Sequence, residues 1–531
     1  MEKSFNVAYE PWIPVVDLAG VRRLVSLAQV FSSGREIADL QVRPQERVAL
    51  MRLFACVAHA ALDGPKDYDA WETVPKVLPD AAQKYLKKWE DSFWVFHPEK
   101  PWLQTPDIDK GKGACPVDSA NRDDWTPVSK LNFSYSSGNN STLFDHVALR
   151  ADREISLEET ALSMLTYQCY SAGGLSAQVF WHGKQTNKSA KDSPCITASM
   201  LHAFIRGKNL LESIHLNLPT QEMVKAHYGN SLFGRPVWEK IPKSFDDKVG
   251  VENATRTYAG RLVPLKRFMK LHASARGILL GEGLDYPAFV DGFPPEPTAT
   301  VVLSSGGAEK KKDSRSYLSY RPNKAVWREL TALLLKRENQ EDGRCLVLRN
   351  MAEGNDFDLV VVGVARDQAE ILDHTESVFH ITPGLFGPVG ALLYETEVLF
   401  AESIARKLSW AVQEYRKELD GGWEGKLKAA GSSKGDLIRK LESTAATLYW
   451  TAVEKNLDIL MAYIDVLGTD AAPGARSRWQ KLVKQAARES FQSVCGQETP
   501  RQIRAFAKGL DRLVHKAPEK TEKPTMQEEV E

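Results

Sequence analysis

The chain opens on two short strand-like runs, Trp12-Ile13-Pro14-Val15-Val16 and Val21 to Val25, on either side of Asp17 to Gly20. This pattern predicts a β-hairpin leading into a helix near Leu27 to Phe31. Pro44 then opens a second helix, in which Val48, Met51, Leu53, Phe54 and Ala58 form an apolar stripe at helical spacing suited to core packing. Periodicity is lost between Pro101 and Asn140, where Lys110-Gly111-Lys112-Gly113 and Ser136-Ser137-Gly138-Asn139-Asn140-Ser141 predict a long loop region, a kind that is either functional or disordered. Ser156-Leu157-Glu158-Glu159 is a capping-box signature for a helix through Tyr170, with Gly173-Gly174 as its stop.

From Thr298 onward strands are expected: Val301 to Leu303 and Tyr317 to Tyr320 around a Gly- and Lys-rich turn, then Cys345 to Leu348 and Leu359 to Ala365 after a short helix holding Trp327. The last run passes through Arg366-Asp367-Gln368 and resumes at Ala369 to Leu372, a hairpin with a polar tip. Composition changes at Pro383-Gly384-Leu385-Phe386-Gly387-Pro388, and beyond it four amphipathic segments fall at about 391–418, 435–467, 473–494 and 499–516. The predicted fold is therefore α+β: a large mixed N-terminal domain (1–385) followed by a C-terminal four-helix bundle (391–516), with 517–531 an acidic, polar tail expected to be disordered.

The 69 Lys and Arg cancel the 69 Asp and Glu, so any polyanion site must be local. The start lacks a signal-peptide core and no run approaches the roughly 18 apolar residues of a spanning helix, so a cytoplasmic chain with no membrane partner is expected. Six cysteines without a C-x-x-C pair predict reduced thiols. Chemistry-bearing motifs are missing. Gly183-Lys184-Gln185 and Gly425-Lys426-Leu427 lack the upstream glycine and hydroxyl of a phosphate loop, and Gly281-Glu282-Gly283 is followed by Tyr286 where a dinucleotide site needs glycine. The histidines are dispersed, and there is no Gly-x-Ser-x-Gly elbow. No enzyme activity, cofactor or metal is expected.

Charge is uneven locally. Between Glu252 and Glu282 there is no acid, while Arg256, Arg261, Lys266, Arg267, Lys270 and Arg276 are present, which fits a solvated strand face as well as a phosphate contact. From Pro473 to Lys516, ten basic residues including Arg501, Arg504 and Lys508 face three acids, an excess suited to nucleic-acid backbone. Lys310-Lys311-Lys312 is a weaker candidate, read as a solvated hairpin tip.

Taken in order, Trp12-Ile13-Pro14-Val15, Pro101-Trp102-Leu103-Gln104-Thr105, the helix ending at Gly173-Gly174, Val326-Trp327-Arg328, Arg366-Asp367-Gln368-Ala369 and the terminal bundle resemble the large subunit (the CasA family) of the type I-E CRISPR Cascade surveillance complex. The resemblance spans nearly the whole chain. It implies a non-catalytic subunit that recognises the protospacer-adjacent motif in double-stranded DNA, helps start strand separation for guide-RNA pairing, and docks a helicase-nuclease. Its implied partners are target DNA, guide RNA, the other Cascade subunits and that nuclease. It maps a groove-approaching glycine loop onto Gly173 and Gly174, a basic minor-groove residue near Lys266 or Arg267, and a glutamine wedge onto Asp367, Gln368 and Ala369. The loop holding Phe133, Tyr135, Asn139 and Asn140 corresponds to one that contacts the guide-RNA end of the complex.

Two departures stand out. Some relatives carry a cysteine-rich zinc site, but no cysteine lies between Cys195 and Cys345. Where relatives can carry Asn before the wedge, this chain has Asp367, which leaves open a different motif or a hydrogen bond accepted from a base amino group. The rival readings are an assembly scaffold that binds guide RNA and protein subunits without reading DNA, and a nuclease with an unrecognised site.

Overall fold

The computed structural model describes residues 2–110, 125–135, 155–228, 233–287, 296–304, 314–335, 343–352, 354–367, 370–419 and 433–515. The chain divides into two compact units, Met1–Pro383 and Gly384–Glu531.

The first unit is built around one apolar core that runs from Val7 to Val364. Its opening hairpin pairs Ile13–Asp17 with Arg22–Val25, and Ile37–Leu40 covers the other edge of the first strand. The turn closes because the Asp17 carboxylate accepts the Ala19 and Val21 amides, each at 2.9 Å, and Gly20 takes the left-handed conformation at φ 81°. Two of the three tryptophans in the sequence motifs, Trp12 and Trp102, are core partners. Trp12 donates its indole N–H to the Val7 carbonyl at 2.8 Å and meets Trp102 edge-on at 5.6 Å. The helix Pro44–Leu62 crosses this core and carries Arg47 and Arg52 into it.

Half of the expected capping box forms at the helix Leu157–Tyr170: the Ser156 hydroxyl accepts the Glu159 amide at 3.2 Å, but the Glu159 carboxylate turns away to accept from Asn132 and Tyr135. The stop differs. The helix ends at Ser171, which is extended, so the glycine pair lies beyond the cap and Gly174–Leu175 forms a short strand against Ser189–Ala190. The hairpin is longer than predicted: Phe357–Asp367 pairs with Glu370–Ile381, and Leu201–Arg206 lies antiparallel on the inner side. A bulge between Ala365 and Arg366 bends it near the tip. The expected strand at Cys345 to Leu348 is instead part of a 3₁₀ turn, Leu346–Asn350. A short buried apolar run fits either conformation, and among the described residues no strand pairs with it.

In the second unit the helices Pro388–Leu419, Ser433–Glu454, Leu457–Asp465, Ala472–Val494 and Pro500–Val514 pack around Tyr394, Tyr449, Trp479 and Phe491. The second predicted helix is broken in two at Asn456, whose φ of −122° leaves the helical region and whose side-chain amide donates to the Ala452 carbonyl at 2.8 Å. The first and last helices approach closely at Gly509, where a β-carbon would sit 2.5 Å from the Phe491 ring and 2.8 Å from the Ala411 carbonyl. No helix among the described residues is long and apolar enough to cross a membrane.

Candidate nucleic-acid interface

The Ser171 to Gly174 turn is gripped by polar groups brought from elsewhere in the chain. Arg267 donates from Nη2 to the Ala172 carbonyl at 2.7 Å and from Nε to the Ser171 hydroxyl at 2.9 Å, and that hydroxyl meets the Ser193 hydroxyl at 2.6 Å. The Gly173 amide donates to Asp192 Oδ1 at 2.8 Å. A β-carbon at Gly173 would sit 2.9 Å from the Ala190 carbonyl, so packing inside the protein already requires glycine there. Gly174 is exposed and has φ 143°, a conformation L-residues rarely adopt. Leu175 beside it is 98% exposed, which makes this ribbon an apolar tip in a polar surrounding.

Lys266 and Arg267 do not face solvent. Lys266 is completely buried, and its ammonium lies 2.5 Å from Glu282. Burial pulls its pKa down and Glu282 opposes that shift. Arg267 is 5% exposed and pairs with the other oxygen of the same carboxylate. This corrects the expectation of a groove-facing basic residue at either position. The reason is that Glu282 lies across from Arg267 in the antiparallel pair Arg267–Leu271 and Gly277–Glu282. Arg261 is likewise internal. It shares Glu296 with Arg52, at 2.8 and 2.5 Å respectively. Burial pushes the Glu296 carboxyl up, but the two guanidiniums outweigh it and hold it at about 2. Of the sequence stripe, Arg256 and Arg276 are exposed and Lys270 is half-buried.

The long hairpin is braced along its length. Arg47 Nε donates to Glu376 at 2.9 Å, the Tyr320 hydroxyl donates to Asp373 at 2.7 Å, and the Arg366 amide donates to the Ser199 hydroxyl at 3.3 Å. Ser199 and its neighbour Ala198 have φ of 51° and 54°, a strained pair at the foot of the tip. The Arg366 guanidinium donates to Asp192 Oδ2. Asp367 ends the strand opposite Glu370, while Gln368 and Ala369 lie outside the described residues.

Phe133 stacks on Tyr167 at 5.6 Å with ring planes 15° apart, and the Tyr135 hydroxyl donates to Glu159. Asn139, Asn140, the Lys310 to Lys312 turn and the 517–531 tail are outside the described residues. A concavity of about 280 Å³ joins Phe133 and Tyr135 to Gly173, Gly174, Arg267 and, from the hairpin, Ile371. Three segments selected separately in the sequence therefore share one face. Asp192 touches two of them. Its partners lie 19 and 174 residues away, so no local pattern marks it.

In the helical unit Arg501, Arg504 and Lys508 are exposed on one face of the helix Pro500–Val514. Arg504 and Lys508 reach Glu418 at 2.8 and 2.7 Å, and the hydrogen bond from Lys508 holds that carboxyl below its usual range. Among the other basic residues there, Arg476 pairs with buried Glu397 at 2.6 Å, and Arg512 lies over the Trp410 ring. Among the described residues no three His, Cys, Asp or Glu side chains are grouped to hold a metal ion.

The sequence model of the family described as CRISPR-associated protein Cse1 matches residues 6–490. The chain is 26% identical over 520 residues to the CRISPR-associated protein CasA/Cse1 of Thermus thermophilus, with 92% of each chain covered. Its fold is similar to the crystal structure of Thermus thermophilus CasA, with a TM-score of 0.73 and 22% identity over 96% of this chain and 98% of that one. It is also similar to a chain of a CRISPR RNA-guided surveillance complex, with a TM-score of 0.71 and 17% identity over 96% of this chain and 100% of that one.

Proposed function

The chain belongs to the CRISPR-associated Cse1 (CasA) family, and from that premise we propose that it is the non-catalytic large subunit of a type I-E Cascade complex. In this reading it recognises the protospacer-adjacent motif in double-stranded DNA, helps begin strand separation for guide-RNA pairing, and offers the docking surface for a helicase-nuclease in the cytoplasm. The observation that carries the reading is the common face formed by the Gly173-Gly174 turn, the Phe133 and Tyr135 segment and the long hairpin. Exposed Gly174 lets backbone approach a groove floor with no β-carbon in the way. Minor-groove contacts distinguish base pairs coarsely, so several motifs should be tolerated.

The hairpin presents Asp367, Gln368 and Ala369 against the first base pair beside the motif, and Gln368 competes with its stacking. Arg267 serves this face by fixing the glycine turn from behind, and Lys266 by holding the Glu282 carboxylate that Arg267 shares, rather than by touching phosphate. Phe133, Tyr135, Asn139 and Asn140 face the guide-RNA end of the complex. Arg501, Arg504 and Lys508 supply a separate, sequence-independent contact to DNA backbone.

The test is a complete Cascade complex reconstituted with this chain and offered linear duplexes that differ only in the motif. Tighter binding to the motif-bearing duplex is the expected result, and Gly174→Val should abolish that preference by more than the roughly 1 kcal/mol stability cost of its strained φ accounts for. Equal binding to both duplexes by the unaltered complex would replace this reading with that of a scaffold that does not read DNA.

A further inference from the structure

We propose that Asp192 is a positioning residue that couples the glycine turn to the hairpin tip, so that engagement of the motif and opening of the adjacent base pair are set in one register. The inference rests on the DNA-recognition reading above and adds a residue and a mechanism to it. One carboxylate oxygen accepts the Gly173 amide at 2.8 Å, and the other accepts the Arg366 guanidinium. Both side chains of the ion pair are largely buried, at 18% exposure for Asp192 and 22% for Arg366, so water screens it far less than a surface pair.

Asp192 itself has little freedom. On one side the Lys191 amide donates to Glu282 at 3.2 Å, and on the other the Ser193 amide donates to the Ser171 carbonyl at 2.9 Å. Pro194 follows directly and restricts the backbone of Ser193. Glu282 also holds Arg267, which grips Ala172 and Ser171, so the turn is fixed from two directions and passes any displacement to Asp192. On the far side Arg366 lies at the bulge in the first hairpin strand, and its amide is held by Ser199. Gln368 is two residues beyond Arg366, at most about 7 Å of extended chain. A turn pushed outward by about an ångström by the wrong base pair would therefore draw Arg366 with it and misplace the wedge.

The two oxygens can be separated by experiment in the complete complex. Asp192→Asn keeps a carbonyl oxygen for the Gly173 amide but loses the charge that holds Arg366. It should leave the preference for motif-bearing over motif-free duplex within about twofold, while slowing opening of linear target about tenfold. Opening is read from a fluorescent adenine analogue placed beside the motif. Asp192→Ala removes both acceptors and should lower preference and opening alike, each by about tenfold. Thermal unfolding of both variants is followed in parallel.

A general loss of duplex binding that tracks a lower melting temperature, with preference and opening rate per bound complex unchanged, would overturn the coupling and leave Asp192 a structural residue. Gly174→Val and Gln368→Ala serve as controls. If they are impaired while Asp192→Ala opens and discriminates within twofold of the unaltered complex, the coupling alone is wrong. If the controls themselves are unimpaired, the DNA-recognition reading fails and the coupling falls with it.

Discussion

In the N-terminal unit Arg52, Arg261, Lys266 and Arg267 are buried in pairs against single carboxylates, whereas in the helical unit Arg501, Arg504 and Lys508 stand exposed along one helix face, with Arg504 and Lys508 meeting Glu418 in contact with solvent. In sequence, Arg261, Lys266 and Arg267 read like the helical set, as local positive charge. The buried cations outnumber their carboxylates, and backbone carbonyls supply the remaining acceptors. Arg52 takes the Leu262 carbonyl at 2.9 Å, Arg261 the Thr255 carbonyl at 2.9 Å, and Arg267 the Ala172 carbonyl at 2.7 Å. A cation without water thus fixes segments of chain, while one in water stays available to a polyanion. The difference teaches that positive charge can act in two ways, shaping a surface from inside where it is buried and staying open to a polyanion where it is exposed.

The contrast breaks most sharply at Glu282. Glu282→Ala leaves Lys266 and Arg267 buried without a counter-ion, and chemical denaturation should register a loss of about 3–5 kcal/mol. A loss below about 1 kcal/mol would mean that these cations reach water and that the two units handle charge alike.

Acid should separate the units next. His202 and His59 are fully buried, and burial lowers their pKa values to about 4 and about 3. The unfolded chain, with histidines near 6.5, then binds protons that the folded unit refuses. Stability is fully present above about pH 6.5 and falls as the pH drops toward 4. The Glu296 carboxyl, held at about 2, extends the loss below its ordinary value near 4.3. The helical unit has only His515, which is exposed, so amide exchange should show the N-terminal unit opening first between pH 6 and 4. The reverse order would sink this account.

Charge reversal at Arg501, Arg504 and Lys508 sharpens the other half. It should change stability by no more than about 1 kcal/mol, yet weaken binding to every duplex similarly and flatten the salt dependence by up to roughly three counter-ions. Unchanged affinity at low and moderate salt would return this face to ordinary solvated surface. The smallest stability effect belongs to the hairpin tip. Gln368→Ala should alter folding by less than about 0.5 kcal/mol while slowing strand separation on linear DNA, with negative supercoiling restoring much of the rate. Opening of linear target at the unaltered rate would leave Gln368 a turn residue only.

Local patterns in the sequence were reliable where the physics is local. The Ser156 cap, the Asp17 turn and the hairpin at Arg366 depend on residues within a few positions of one another. The charged stripe reads as surface charge because the acids that neutralise it lie at or beyond its edge. Glu282, the residue that bounds the stripe in sequence, closes on Arg267 from 15 residues away, and Glu296, beyond the stripe, reaches Arg261 across 35. The broken helix at Asn456 and the 3₁₀ turn at Leu346–Asn350 were hidden for a different reason, since apolar spacing there satisfies more than one backbone conformation. Asp192 offered no signal because its chemistry exists only once both partners have arrived.

The pairing of Leu201–Arg206 with Phe357–Asp367 also bears on how the chain comes to be folded. Leu201 lies opposite Gly363, and Asp192 reaches Arg366 across 174 positions. Closing so long a loop costs entropy before any contact repays it, and such pairings form slowly. On the ribosome, the glycine turn is made long before the hairpin strand that completes its surroundings has been synthesised. The shared face is therefore among the last parts of the N-terminal unit to mature, and a nascent or partly folded chain does not yet present it.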